Sequence, residues 1–203
     1  MKELLCAQAK KIVYGVFPVT VANNVIERFR FIHQVFGGFI IGKLIDSLII
    51  GILTFMVMSF LQMPYTLLIS VIIGVTNVIP FFGPFIGAIP SALLLLLVSP
   101  KQCIWFLVMI LVIQQFDGNI LGPKILGNTT GLSSFWVLFS ILLFGGLMGF
   151  VGMIIGVPTF AVIYRLVTEF TTWRLGKKAL SGNIDEYGSL NYIDETEQTY
   201  IKK

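Results

Sequence analysis

The stretch Asn77-Val78-Ile79-Pro80-Phe81-Phe82-Gly83-Pro84 cannot run as one unbroken helix. Each proline lacks an N–H, and its ring blocks the carbonyl four residues earlier. On both sides the chain is almost wholly apolar, over residues 65–79 and 85–98. The break therefore puts irregular backbone inside a hydrophobic region. A bilayer core offers no water to unpaired backbone groups, so such a break must line a cavity or be buried in protein. Half-helices ending there present positive partial charge at N-termini and negative at C-termini. Transporters use breaks of this kind as substrate and ion sites. A plainer reading competes with it, in which the nearby glycines only let helices pack closely.

Outward from the break, the chain reads as membrane-embedded. Of its 203 residues 56% are hydrophobic and 12% are charged, against about 25% charged in soluble domains. Residues 44–61 hold one acid, Asp46. Eighteen helical residues reach about 27 Å, close to a hydrocarbon core of about 30 Å. Further apolar runs occupy 103–113, 135–150 and 151–167, several of them short for a full crossing. The expected fold class is all-α, a polytopic helical membrane protein.

Charge sets the expected topology. Lys2, Lys10, Lys11, Arg28, Arg30 and Lys43 precede the first span, and Arg165, Arg174, Lys177, Lys178, Lys202 and Lys203 follow the last. Only Lys101 and Lys124 lie between. The excess of Lys and Arg at both ends places both termini in the cytoplasm. The net charge of +4 is thus a topology signal. It implies no nucleic-acid partner, because no basic stripe is interleaved with aromatics outside the membrane. Cys6 and Cys103 are too few for a disulfide framework and read as small apolar fillers.

Val21, Val25, Phe29, Ile32 and Phe36 step at helical intervals, with Asn23, Asn24, Glu27, Arg28, Arg30 and Gln34 between them. This predicts an amphipathic helix lying on the membrane or against partner helices. Glu27, Arg28 and Arg30 in its middle exclude a span. His33, the single histidine, reads as an interfacial packing residue. Gly37-Gly38 is expected to break this helix before Lys43 anchors the first span. The division that results is an interfacial segment 1–43, a permease domain 44–171 with units 44–98 and 103–171, and a polar cytoplasmic tail 172–203.

The two units share a pattern. Ser70, Gly74, Gly83, Gly87 and Pro90-Ser91 in the first correspond to Ser140, Gly145, Gly152, Gly156 and Pro158-Thr159 in the second. Each unit is one leading helix and a broken hairpin. An odd number of crossings per unit makes the pair an inverted repeat, with Gly87, Pro90, Gly145, Gly146, Gly149, Gly152 and Pro158 as expected break positions.

Ionisable residues inside a span are functional candidates. Asp117 is the foremost, in Gln114-Gln115-Phe116-Asp117-Gly118-Asn119 after ten apolar residues. Gln114 and Asp117 share a helix face, and Gln115 and Asn119 form a neighbouring pair. Lys124, after Pro123, is the expected counter-charge. The plainer alternative is a solvated interfacial acid. Asp46 reads as a snorkelling partner of Lys43 at the edge of its span, so substitution there is expected to matter far less. Asn77 faces the break, where it could bind substrate or cap a half-helix.

Ile79-Pro80-Phe81-Phe82-Gly83-Pro84 resembles the I-P-[YF]-[IFL]-G-P motif of the autoinducer-2 exporter family of bacterial permeases. The stretch 114–124, with Asp117, Asn119, Gly122, Pro123 and Lys124, resembles a second signature. Gly145-Gly146 through Gly149, Gly152 and Pro158 resembles a third. The resemblance covers about residues 20–170 and implies a multi-pass carrier of the bacterial cytoplasmic membrane. Members have been linked to autoinducer-2 export, a quorum-sensing activity, and others to sodium/proton exchange. Many members carry Asp where Asn77 stands. They also carry further spans ahead of the amphipathic segment, which implies a shortened member here.

Together these readings predict a secondary carrier of a small polar solute, by alternating access around the two hairpins. Its pathway would use Asn77, Pro80, Gly83, Pro84, Gln114, Gln115, Asp117, Asn119 and Lys124, with Asp117 coupling flux to a proton or sodium gradient. The alternatives are a monovalent cation/proton antiporter and, from another class, a non-transporting scaffold or truncated fragment. The expected partners are the lipid bilayer, the solute or ion, and further copies of the chain. No cofactor is expected: the sequence has no G-x-x-x-x-G-K-[ST]. An enzyme is not expected, as there is no H-E-x-x-H, no intramembrane Ser/His pair and no acid pair on one helix.

Overall fold

A computed structural model describes residues 2–126, 130–193 and 200–202. It is a helical membrane protein. Helix α1 (Lys2–Val16) stops at Phe17-Pro18, because a residue before proline is pushed out of the helical region. Helix α2 (Val19–Phe60) then runs for 42 residues. Helices α3 (Thr66–Thr76) and α4 (Gly83–Val98) flank the break, and α5 (Pro100–Phe116) follows an extended Ser99. A wide π-turn, Asp117–Leu121, leads into the short α6 (Gly122–Leu126), and α7 covers Ser134–Lys177.

Two expectations about α2 are corrected. Gly37-Gly38 does not break it, since the helix passes through both glycines. Glycine costs only about 1 kcal/mol in a helix interior, and burial of Val35 and Phe39 around the pair offsets that. The amphipathic stripe is also displaced. Ala22, Val35 and Phe39 are buried, whereas Val21 and Phe29 are 44% and 67% exposed.

The first hairpin turns where the sequence requires it. Phe81 adopts a left-handed conformation, φ 64°. Gly83 then lies so close to the Thr76 carbonyl that no Cβ would fit, and a Cβ on Gly87 would strike Thr76 and Ile73. The hairpin packs on α2 at a glycine crossing, where a Cβ on Gly51 would sit 3.3 Å from Gly74 Cα.

The second hairpin lies within α7. Gly149 has φ 60° and ψ −140°, a conformation open essentially to glycine alone, and the chain reverses there. A Cβ on Gly156 would meet Ser140 O at 3.0 Å, and one on Gly152 would collide with the Phe144 carbonyl. The same glycine pair at the start of the returning arm therefore closes both hairpins. Ser70 and Ser140 each donate to the carbonyl three residues back, and Ser91 and Thr159 to the carbonyl four back. The breaks themselves fall at residues 77–82 and at Gly149. Pro90 and Pro158 lie inside continuous arms rather than at breaks.

Large apolar side chains point outward from these helices, among them Phe60, Leu97 and Leu147, which are 87%, 86% and 73% exposed. Such an apolar surface suits contact with lipid. The chain forms two compact units, 1–160 and 161–203. In the second, a short antiparallel pair, Leu190–Ile193 with Tyr200–Lys202, closes on a Tyr187–Tyr200 edge contact.

Candidate transport site

An open cavity of about 1410 Å³ lies at the first break. Pro80, Phe81, Pro84 and Phe85 line it from that break, Leu107, Ile110 and Gln114 from α5, and Val137 and Val157 from the two arms of the second hairpin. Both hairpins thus face one space, most of it apolar. Its polar wall carries Lys43, Asn77, Gln114, Gln115 and Asp117.

Local geometry brings these groups together. Pro123 cannot donate to the residue-119 carbonyl and crowds it, which favours a wider turn before it. The Gly122 N–H reaches Asp117 O across five residues. Such π-turns recur at functional sites. The widened segment carries the Asp117 side chain inward, to 8% exposure.

Behind the wall the charges form a buried cluster. Lys43 Nζ donates to Asp46 Oδ2 at 2.6 Å. Asn77 Nδ2 donates to the same oxygen at 3.2 Å. Asp117 is buried on the same cavity wall as Lys43 and Asn77. Asp46 is fully buried and Lys43 nearly so. Asp46 Oδ1, Asn77 Oδ1 and Gln114 Nε2 are buried with no hydrogen-bond partner in the protein.

Several expected placements change as a result. Lys43 and Asp46 do pair, but they do not snorkel, because the pair sits in the interior beneath the first break. Asp117 shares its cavity wall with Lys43, whereas Lys124 is exposed. Asn77 does not cap a half-helix with its side chain, which reaches α2 instead. Of the expected pathway residues, Asn77, Pro80, Pro84, Gln114, Gln115 and Asp117 line the cavity. Gly83 closes the hairpin behind them. Asn119 turns to Gln115, donating to its side-chain oxygen at 3.0 Å, on an exposed face. Cys103 is buried and lines the cavity, whereas Cys6 is exposed. His33 is exposed on α2.

A family model described as AI-2E family transporter matches residues 6–172. YrrI of Bacillus subtilis, named as a candidate transport protein, is 34% identical over 165 residues, 81% of this chain and 47% of its own length. A candidate transport protein of Haemophilus influenzae is 33% identical over 172 residues, 81% of this chain and 48% of its own. The AI-2 transport protein TqsA of Escherichia coli is 30% identical over 134 residues, 66% of this chain and 39% of its own. The chain spans about half the length of the curated relatives it matches.

Proposed function

Because the chain belongs to the AI-2E family of membrane transporters, with residues 6–172 matching it, we propose that it carries a small polar solute across the bacterial cytoplasmic membrane. Transport proceeds by alternating access around the two hairpins. One observation carries the reading: a single cavity is bounded by both hairpins and has a buried charged cluster at its polar wall.

The hairpin lengths support it. Helix α3 has 11 residues and α4 has 16, so they reach about 17 Å and about 24 Å, short of a core of about 30 Å. The first break then lies within the membrane, where irregular backbone is tolerated only against protein or a cavity. A small tilt of either hairpin would open the cavity to one side or the other. The basic residues at both ends put both termini in the cytoplasm.

Autoinducer-2 is the solute suggested by the name of the AI-2 transport protein TqsA. A compact polyhydroxylated molecule suits the polar wall, where Gln114 can donate and Asn77 and Asp117 can accept. Unpaired buried polar atoms each cost about 1–3 kcal/mol, so a solute that supplies partners gains that much. The step is binding and release, with no covalent bond broken. A second reading, exchange of a monovalent cation for protons, would use Asp117 and Asp46 on an ion.

The test is uptake of labelled autoinducer-2 by vesicles holding the full-length protein under an imposed pH gradient. Accumulation that collapses with the gradient is expected. If sodium flux alone responds, the second reading stands in its place.

A further inference from the structure

The cavity at the first break is larger and more apolar than a compact polar solute needs. Ligand pockets commonly hold about 300–1,000 Å³, against about 1410 Å³ here. Thr130 apart, its polar side chains gather at the break end, on Lys43, Asn77, Gln114, Gln115 and Asp117. Away from the break it runs between α4 and α5, past Ala88, Ala92, Leu93, Leu96, Cys103 and Leu107. From Pro84 to Leu96 helix α4 rises about 18 Å. Every residue that lines the cavity along that length is apolar.

We propose that this cavity binds an amphipathic amine, with its apolar body in the α4–α5 arm and its ammonium against Asp117 and Asn77. The inference extends the carrier reading above to a further class of solute. It rests on that reading for movement across the membrane, not for binding.

The polar end selects the head group. Lys43 is matched by Asp46 at 2.6 Å. No salt bridge reaches Asp117 among the described residues, although its side chain is buried on the cavity wall. A buried carboxylate is costly unless it is paired, and an ammonium supplies the missing partner. Asn77 Nδ2 is engaged by Asp46, whereas its buried Oδ1 has no partner. An ammonium carries three donors, enough for Asn77 Oδ1 and Asp117 together. Gln114 Nε2, a donor without a partner on the same wall, suits a hydroxyl beside the amine. Phe39 and Phe81 line this end too, and aromatic rings attract organic cations.

The apolar arm selects the body. Phe85, Ile89, Leu93 and Leu111 line it and are 67%, 62%, 57% and 64% exposed. A hydrocarbon or aromatic group laid along them removes that surface from contact with water. An anionic amphiphile fits the arm equally well but brings its charge against Asp117. A bare small cation fits the wall and leaves the arm unfilled.

Calorimetric titration of the full-length protein in mild detergent tests this without any flux, with empty micelles as the blank. The probes are 4-phenylbutylamine, 4-phenylbutanol, 4-phenylbutyrate and methylamine. Saturable binding of the amine is expected, at least about tenfold tighter than the alcohol. The butyrate and methylamine should bind more weakly still. Asp117→Asn should cancel the preference for amine over alcohol, and Asp117→Glu should keep it, which preserves the test if the Asn variant does not accumulate. Leu107→Trp, at a half-exposed position in the arm, should weaken amine and alcohol alike. Butyrate binding as tightly as the amine would show a site for any apolar chain, a lipid's included, and overturns the proposal. Methylamine binding as tightly overturns it in favour of a bare cation site. An amine preference that survives Asp117→Asn also overturns it. If the amine binds as expected but vesicles transport nothing, the site stands and the carrier reading fails. If vesicles carry autoinducer-2 and the amine does not bind, the carrier reading stands and this inference fails.

Discussion

Asn77 Nδ2 donates to Asp46 Oδ2 at 3.2 Å, across 31 positions of sequence. The residue at the end of α3 thereby ties the first break to the interior of α2. Lys43, one turn earlier on α2, shares the same oxygen, so one carboxylate oxygen holds α2 and the end of α3 in register with the cavity. Movement of the first hairpin must strain or exchange this hydrogen bond.

Removal of Lys43 should therefore be far costlier than loss of a surface lysine. Lys43→Met leaves Asp46 buried without its counter-charge, and breaking a buried pair from one side costs about 3–5 kcal/mol. The unfolding midpoint in detergent should fall markedly. Lys43→Met combined with Asp46→Leu should recover most of the loss, because no charge is then stranded. A double variant as unstable as the single one contradicts the buried pair.

The hairpin glycines make a graded prediction. Gly83→Ala and Gly152→Ala drive a methyl into the Thr76 and Phe144 carbonyls, and backbone cannot yield as a side-chain tip can. Gly149→Ala meets no neighbour, but its φ of 60° costs about 1–3 kcal/mol for any other residue. Gly146→Ala meets nothing and should be neutral. Accumulation in membranes and thermal midpoints should rank the four in that order. Equal behaviour of Gly152→Ala and Gly146→Ala would show that the second hairpin does not close as described.

The first break was legible because Pro80, Gly83 and Pro84 within eight residues leave a helix no continuous ladder. Glycine spacing likewise showed a second hairpin, although only its left-handed φ singles out Gly149 among its neighbours. Asp117 stood out as an acid after ten apolar residues. The depth of Asp46 was not legible. Its neighbour Lys43 is three residues away, which looks the same for an exposed pair and a buried one, and Asn77, which bonds it, lies 31 positions along the chain. Gly37-Gly38 misled for a related reason: tertiary burial overrides a local helix propensity of about 1 kcal/mol.

Topology is tested by reporter fusions at residue 203 and within residues 61–65. From the split of basic residues, position 203 is expected in the cytoplasm. A single crossing by the apolar half of α2 puts 61–65 on the opposite face. Periplasmic activity at 203, or cytoplasmic activity at both sites, contradicts the arrangement.

The chain should also self-associate. Exposed leucine, isoleucine and phenylalanine side chains cover the outer faces of α4 and of α7's first arm, and small-residue helices associate readily in lipid. Cross-linking in mild detergent should give species larger than the monomer. Monomer alone across a range of cross-linker lengths would count against it.

The central claim is that the buried Asp117 cluster couples a gradient to solute movement. An acid at the centre of a membrane helix costs about 2.5–3.5 kcal/mol on the insertion scale, and Asp117→Asn removes the charge while keeping the shape. The decisive measurement is gradient-driven solute flux in vesicles holding the full-length protein, wild type beside Asp117→Asn at matched abundance. The account predicts that the variant inserts normally and that its flux is abolished or no longer follows the gradient, with Asp46→Asn behaving alike. Flux equal to wild type, with the same pH dependence, would contradict it.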